Sequence, residues 1–299
     1  RWFVFCDGRA GIVYDDSGLP SGPDEYLYAD LDAGLEIARD ADIRLCLVLL
    51  DHRWMFDNIR HTVADPVSGA LLEGTLPEGR ARVACTDEGH RALLQNLLVP
   101  ILRRYGRTGE RADLSGSVCA WELMNEPDFV IQEWESDLSS HVRRPVPFAV
   151  LARLIAAFSS AVHDLSDPWT TIGGARARNL WAWDDEALGV DGLLVDQYPD
   201  TKHPDWDDNL YGAPKAELLL QRDVIIGEYP ADPLSRHPEH ASPFAMSVND
   251  YLEFALANGY AGLWPWSSSG TDAYGRLQEE ELRAFARRHP ELVNPRFAR

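Results

Sequence analysis

Short apolar runs alternate with helical patterns along most of the chain. Seven such runs predict β-strands, at residues 1–6, 43–51, 117–125, 170–174, 192–198, 223–229 and 261–267. Between them, apolar residues recur at spacings of three and four, which indicates amphipathic helices. The clearest pattern places Leu94, Leu98 and Ile101 on one face, with Thr86 as a cap before it. Near-continuous apolar strands separated by helices are typical of parallel sheets buried on both faces.

This alternation predicts an α/β protein, with residues 1–299 forming a single (β/α)8 TIM-barrel catalytic domain. A closed barrel of this kind needs eight strands, so the first strand is expected upstream of Arg1. The alternative is an open doubly wound sheet. No glycine-rich phosphate loop follows any predicted strand, which disfavours a nucleotide-binding sheet.

Composition narrows the function classes. Hydrophobic residues make up 45% of the 299 residues, enough for a large core, and the formal net charge of −20 disfavours a nucleic-acid partner. The most apolar runs, 43–50 and 93–102, are shorter than the roughly 20 residues of a spanning helix, so no membrane segment is predicted. The four cysteines are interpreted as reduced thiols, which favours a cytoplasmic over a secreted location without deciding it. The oligomeric state stays open.

Polar residues cluster where the predicted strands end, which in a (β/α)8 barrel is where the active site forms. These strand ends carry Asp51, His52, Asn125, Glu126, Tyr198, Glu228 and Trp266. A pair of carboxyl groups is what breaks a glycosidic bond, one as acid and one as nucleophile or base. Either glutamate alone is more often a solvated loop charge, but together Glu126 and Glu228 predict a glycosidase.

Three motifs carry a family resemblance: "NEP" at 125–127, "GEY" at 227–229 and "GYAGLWPWS" at 259–267. With them the chain resembles the clan A glycoside hydrolases, most closely the family-five cellulase and mannanase group. The resemblance implies a retaining hydrolase of β-glucan or β-mannan type saccharides, with no cofactor and no metal. It implies Glu126 as acid/base and Glu228 as nucleophile, whose carboxyl groups should lie about 5–5.5 Å apart in a retaining enzyme.

The same resemblance assigns substrate-binding roles. It implies that Asn125 binds the sugar 2-hydroxyl, Arg1 orients the nucleophile, His52 and Tyr198 line the same subsite, and Trp266 forms the platform beneath the sugar. The sequence departs from the family pattern His-x-Tyr at Asp196-Gln197-Tyr198. Asp196 near Glu126 would raise the pKa of that glutamate by like-charge repulsion, although a pairing of Asp196 with an arginine is an equal alternative.

Other candidates are less decisive. Trp54 could stack on a sugar or simply pack, and Glu122 is expected to anchor Arg1 or His52 as a buried pair. The segment 237–240, with two histidines, is a weak metal candidate because a proline-containing loop fixes no ligand geometry.

Two other functions compete with hydrolysis. A catalytically silent carbohydrate-binding barrel would need no pair of charged glutamates. A Schiff-base aldolase is disfavoured because Lys202 and Lys215 lie outside the predicted strands. The sugar, its linkage and endo or exo action are not encoded in a readable way, although the long loops 53–85 and 127–147 are expected to shape the subsites.

Overall fold

The structure is a computed structural model. It describes residues 1–55, 83, 86–134, 146–198, 214–232, 246–268, 270 and 275–293, and the backbone of 60–64 and 71–75. The chain packs as two compact units, which are described in turn. The first comprises Arg1–Ile172 and Asp185–Asp191, and the second Gly173–Asp184 and Gly192–Arg299.

Strands and helices alternate along the chain. The strands are β1 Trp2–Phe3, β2 Ile12–Tyr14, β3 Pro20–Pro23, β4 Leu45–Asp51, β5 Arg60–Ala64, β6 Leu71–Thr75, β7 Val118–Asn125, β8 Trp169–Gly174, β9 Gly192–Asp196, β10 Asp223–Pro230 and β11 Gly262–Trp266. The α-helices are α1 Leu27–Asp40, α2 Asp87–Ala92, α3 Val99–Tyr105, α4 Phe148–Leu165, α5 Leu180–Trp183, α6 Val248–Ala257, α7 Glu279–Arg288 and α8 Pro290–Val293. A π-helical segment, Leu93–Leu98, joins α2 to α3, and 3-10 helices span His52–Met55, Ala112–Ser117, Pro127–Val130, Ala177–Asn179, Glu186–Leu188 and Lys215–Leu218.

The first unit contains the parallel strands β1, β4 and β7 in that spatial order. Their registers place Trp2 beside Leu47, and Asp51 beside Asn125 at the carboxyl ends of β4 and β7. Strand β4 is buried from its second residue onward, as expected for a strand covered on both faces. Two antiparallel hairpins, β2–β3 and β5–β6, were not predicted from the sequence.

Helices of the first unit bury apolar residues at the spacings of three and four that the sequence shows. Helix α1 buries Leu27, Leu31 and Leu35. The Thr86 hydroxyl accepts a hydrogen bond from the Gly89 amide at the start of α2, which confirms the predicted cap.

The sequence pattern predicts no membrane segment, but helix α4 passes the length and composition test for one. By length and composition alone its 18 residues are apolar enough to cross a membrane. Its buried residues lie on one face, at Leu151, Leu154, Ile155, Phe158, Ser159 and Val162, and the helix contacts β7. One-sided burial against a strand is the pattern of a helix that covers a sheet.

The second unit contains parallel pairings of β8 with β9, β9 with β10, and β10 with β11. Strand β8 begins in the first unit and contributes Gly173 and Gly174 to this one. The register of β10 shifts between Ile226 and Glu228 against β9, and between Ile226 and Tyr229 against β11. Such irregularities change the direction in which the following side chain points, and they are common beside active sites.

All seven predicted strands are present, with ends that differ by a few residues. The first is the most shortened, because Cys6 adopts a left-handed turn with φ of 47°. Helix α6 begins after Ser247, whose hydroxyl accepts a hydrogen bond from the Asp250 amide. Cys6, Cys46 and Cys119 are free thiols, and Cys85 lies outside the described residues.

Candidate active site

Glu126 follows the last residue of β7 in an unusual backbone conformation. Its φ of 48° and ψ of 46° lie in the left-handed region, which a side chain with a Cβ rarely adopts. Pro127 comes next and opens a 3-10 helix, so the strand ends here. A residue held in this way costs about 1–3 kcal/mol, and such strain concentrates at functional sites.

The side-chain amide of Asn125 is held from two sides. Arg1 Nη2 donates to Asn125 Oδ1 over 2.7 Å, and Asn125 Nδ2 donates to Asp51 Oδ2 over 2.8 Å. Both Asn125 and Asp51 are buried. Because its oxygen faces a cation and its nitrogen faces an anion, the amide has one favoured orientation.

Arg1 is anchored by a buried carboxylate. Its Nε donates to Glu122 Oε2 over 2.8 Å, and its Nη2 contacts Glu122 Oε1 as well. Glu122 is fully buried, and the Cys46 thiol lies 3.7 Å from its Oε2. The expectation that Glu122 anchors Arg1 is therefore confirmed, whereas the contact of Arg1 with Glu228 that the resemblance implies stays a prediction.

His52 lies between two carboxylates. Its Nδ1 is 3.5 Å from Asp51 Oδ2 and 3.6 Å from Glu126 Oε2, and its ring packs against Phe129 at 5.0 Å between centroids. Burial pushes the pKa of Asp51 upward, but the hydrogen bond and positive charge of His52, the Asn125 amide and the Arg53 backbone N–H together hold that pKa at about 2. Asp51 is therefore an anion at any ordinary pH.

The same three groups are the described residues that could hold a cation. Ligand atoms of Asp51, His52 and Glu126 all lie within 4.8 Å of one another. The two oxygens of Asp51 already accept hydrogen bonds, from Asn125 and from the Arg53 backbone. These protein contacts account for the cluster, and we assign no metal to it. Segment 237–240, the metal candidate from the sequence, lies outside the described residues.

In the second unit, Glu228 is a buried residue of β10, 5% exposed. The Tyr198 phenol donates to its Oε2, and the Glu228 carbonyl accepts the Gln197 amide over 2.8 Å. Tyr198 lies two residues beyond the end of β9, so the pairing of β9 with β10 brings it to the carboxylate. A phenol O–H directed at a buried carboxylate stabilises the ionised form.

Asp196 lies beside the same strand. It is 3% exposed and in register with Glu228, and a Cβ added at Gly227 would come within 2.9 Å of its Oδ1. A glycine suits position 227 because the Asp196 carboxylate occupies the space that a Cβ would need. The predicted influence of Asp196 on the pKa of Glu126 stays a prediction.

The two candidate tryptophans, Trp266 and Trp54, differ in how exposed they are. Trp266 ends β11, is partly exposed, and its carbonyl accepts the Ala231 amide over 2.8 Å. Trp54 is fully buried, and its indole N–H donates to the Tyr14 phenol over 3.0 Å. The idea that Trp54 stacks on a sugar is therefore corrected in favour of packing, since no indole face is accessible. Trp183 is likewise buried.

Asp51 contacts Asn125, and Phe129 contacts His52, although neither Asp51 nor Phe129 has a role assigned from the sequence. Asp51 stands at a predicted strand end, and an acidic residue that ends a buried strand must have hydrogen-bond donors around it. No sequence signal distinguishes Phe129 from an ordinary apolar residue.

Comparisons with known proteins bear on the fold. No protein-family model matches the chain, and no curated protein is similar to it in sequence. Among solved structures it is similar to the β-1,4-D-mannanase of Cryptopygus antarcticus, with a TM-score of 0.66 and 16% identity over 95% of this chain and 76% of the mannanase. The β-mannanase of the blue mussel Mytilus edulis has the same TM-score and identity over 98% of this chain and 80% of that one. The β-glucosidase of Pyrococcus furiosus has a TM-score of 0.52 and 12% identity, over 94% and 76% of the respective chains.

The chain has the (β/α)8-barrel fold. The barrel fold excludes the alternative prediction of an open doubly wound sheet. In a (β/α)8 barrel, residues at the carboxyl ends of the strands form the active site. Asn125 ends β7, Glu126 follows it directly, and Glu228 lies near the end of β10, so all three lie at the carboxyl ends of their strands.

Proposed function

We propose that the protein is a retaining glycoside hydrolase that cleaves β-glycosidic bonds of an oligo- or polysaccharide by double displacement. Glu228 is the nucleophile and Glu126 the acid/base. The shared fold supports this proposal, because the similar structures include two β-mannanases and a β-glucosidase. The sequence motifs around both glutamates support it independently.

The surroundings of Glu228 suit a nucleophile. It is buried, and the Tyr198 phenol donates to its Oε2, which favours the ionised carboxylate that a nucleophile must be. Attack expels the leaving group and forms a glycosyl ester on Glu228. Water then cleaves the ester and restores the anomeric configuration.

The surroundings of Glu126 suit an acid/base. Its side chain is 18% exposed, so a proton can be exchanged with solvent, and His52 Nδ1 lies 3.6 Å from its Oε2. Glu126 protonates the leaving oxygen in the first step and accepts a proton from water in the second. Asn125, oriented by Arg1 and Asp51, donates to the sugar 2-hydroxyl.

The observation that carries most weight is the strained backbone of Glu126 directly beside the fixed amide of Asn125. A catalytically silent carbohydrate-binding barrel would need aromatic and hydrogen-bonding groups but no pair of glutamates at the strand ends. We propose β-mannan or β-glucan type saccharides as substrates, with mannans favoured by the two mannanases among the similar structures.

A panel of aryl β-glycosides, β-mannans and β-glucans tests the proposal. The unaltered protein should hydrolyse at least one, and Glu228→Gln should reduce kcat about 10⁴-fold or more, since it removes the nucleophile. Glu126→Gln should lower kcat/KM strongly on poor leaving groups and little on dinitrophenyl glycosides, whose departure needs no acid, while kcat falls on both because water loses its base. Glu280→Gln, at an exposed ion pair of α7, is the matched control and should change nothing. Equal losses of kcat/KM for both substrate types in Glu126→Gln would contradict the assigned role.

A further inference from the structure

We propose that Asp51 is a positioning residue for catalysis: it fixes the orientation of the Asn125 amide, so that Asn125 offers an N–H to the substrate. The inference rests on the proposed function, because it makes the site specific for a hydroxyl at the sugar position that Asn125 contacts. Asp51 itself does not touch the substrate in this account.

The carboxylate of Asp51 accepts two N–H groups, one on each oxygen. Asn125 Nδ2 donates to Oδ2 over 2.8 Å, and the Arg53 backbone amide donates to Oδ1 over 3.0 Å. The Asp51 side chain is 3% exposed, so water cannot replace these bonds without opening the structure. Its own backbone amide is bound to the Cys6 carbonyl over 3.0 Å, which fixes the position of the residue.

A carboxylate suits this position better than any other side chain. It presents two acceptor oxygens and no donor, whereas an asparagine presents one acceptor and one NH2 group. Asparagine at 51 would therefore direct an NH2 group at one of the two N–H donors, at Asn125 or at Arg53. The loss of one buried hydrogen bond would be unavoidable.

The opposite side of Asn125 gives the same orientation. Arg1 Nη2 donates to its Oδ1, and Arg1 is itself paired with the buried Glu122. A reversed amide would place its oxygen against the Asp51 anion and its NH2 group against the Arg1 cation. Both contacts would become repulsive, so Asp51 and Arg1 together exclude that state. The second N–H of Asn125 is then committed to the substrate as a donor, and the matching substrate group must be an acceptor such as a hydroxyl.

The test uses Asp51→Asn in the full chain, with Asp191→Asn as the matched control. Asp191 also accepts a backbone amide, from Thr170 over 2.8 Å, and also contacts a histidine, His163, over 3.0 Å. It precedes β9 and lies outside the proposed site. Both substitutions remove a buried or partly buried negative charge from similar surroundings. Urea unfolding of both variants establishes that they are folded under the assay conditions.

The first readout is kinetic. On aryl β-glycosides, Asp51→Asn should lower kcat/KM about 10- to 100-fold, the usual cost of misplacing a group that contacts the reacting sugar. On the corresponding aryl 2-deoxy-β-glycoside the loss should be less than about threefold, because the contact with Asn125 is already missing. Combining Asp51→Asn with Asn125→Ala should be no worse than Asn125→Ala alone, as expected for two residues that act through one interaction.

The second readout does not depend on activity. With ¹⁵N-asparagine labelling, the Asn125 side-chain protons are identified as the pair missing in Asn125→Ala. One of them should be shifted downfield and exchange slowly in the unaltered protein and in Asp191→Asn, and it should lose both features in Asp51→Asn. The deciding variant is Asp51→Ala, which keeps no acceptor at position 51: an unchanged proton pair in folded Asp51→Ala protein would overturn the proposal, whatever the kinetics.

The two proposals can fail separately. If the unaltered protein hydrolyses no glycoside, the proposed hydrolase function fails, and the asparagine signals alone decide whether Asp51 orients Asn125. If the protein is active but Asp51→Asn lowers kcat/KM equally on the 2-hydroxy and 2-deoxy substrates, or no more than Asp191→Asn does, the positioning role of Asp51 is wrong and the hydrolase assignment stands.

Discussion

The phenol of Tyr198 donates a hydrogen bond to Oε2 of Glu228. Glu228 is buried in the sheet, and a buried carboxylate without hydrogen bonds is unfavourable by several kcal/mol. The tyrosine therefore stabilises the ionised form of the glutamate that we propose as nucleophile.

Tyr198→Phe should lower kcat/KM about 10- to 100-fold, because a hydrogen bond to a charged group contributes about 1.5–3 kcal/mol. The acidic limb of the pH–rate profile should also move to higher pH, since the carboxylate loses a donor that favours its ionised form. Tyr229→Phe is the matched control, because this neighbouring buried phenol donates to the Met246 carbonyl over 2.9 Å. The control should lower stability and leave the acidic limb in place. A shift of the limb in both variants would contradict the role of Tyr198.

Gly227→Ala should destabilise the protein by about 1–3 kcal/mol, the usual range for overpacking a buried site. The added Cβ would lie 2.9 Å from Asp196 Oδ1 and force that buried carboxylate to move. Gly262→Ala, in the neighbouring strand β11, is the control, since the heavy atom nearest to its added Cβ would be Ile225 Cγ2 at 3.8 Å, an ordinary contact. Urea unfolding of both variants measures the difference. Equal stabilities would show that the Asp196 carboxylate can relax without cost.

Glu122→Gln should be among the most destabilising single substitutions, by about 3–5 kcal/mol, because it leaves the buried guanidinium of Arg1 without its anion. The control is Glu279→Gln, which breaks an exposed pair with Arg283 on α7 and should cost less than about 1 kcal/mol. Thermal or urea unfolding separates the two. A small effect of Glu122→Gln would mean that the Arg1 cation is stabilised elsewhere.

Acid should destabilise the protein partly through Asp32. Burial raises the pKa of this carboxyl, but hydrogen bonds from Arg104, Tyr105 and Arg111 outweigh it and hold the pKa below its usual value. A folded-state pKa below the unfolded one gives stability that is present above about pH 4 and is lost as the pH falls further through the folded-state pKa.

Asp32→Asn should therefore lower the free energy of unfolding at pH 7 and make it less dependent on pH below about pH 4. Asp40→Asn is the control on the same helix, because Asp40 is exposed and pairs with the exposed Arg39. Urea unfolding at pH 7, 4 and 3 provides the comparison. Identical acid dependence in the Asp32 variant and the unaltered protein would refute the assignment.

The parallel strands could be predicted from the sequence because their burial on both faces makes them continuous apolar runs. Strand β4, "LCLVLLD", is such a run, and it ends at Asp51 as the sequence pattern predicts. The hairpin of β2 and β3 could not be predicted. Strand Ile12–Tyr14 is only three residues long, and Pro20–Pro23, "PSGP", has the composition of a turn.

The partners of the site residues were harder to predict than the residues themselves. Glu122 was expected to pair with Arg1 or His52, and only the register of the strands decides between them. Trp54 could not be assigned from its position after a strand, because it is fully buried and its indole N–H binds Tyr14, 40 residues away in the chain. Contacts between distant segments are set by tertiary packing, which local periodicity does not encode.

The most direct test of the account is to trap the intermediate that it requires. An aryl 2-deoxy-2-fluoro-β-glycoside of an accepted sugar should inactivate the protein with a single mass increase, because fluorine destabilises the oxocarbenium-like transition state and slows hydrolysis of the glycosyl ester. Mass spectrometry of the peptides should place the label on Glu228, in the segment "VIIGEYP". A label on Glu126 would reverse the two roles, and a first-formed product of inverted anomeric configuration in the NMR spectrum, with no labelled peptide, would contradict double displacement altogether.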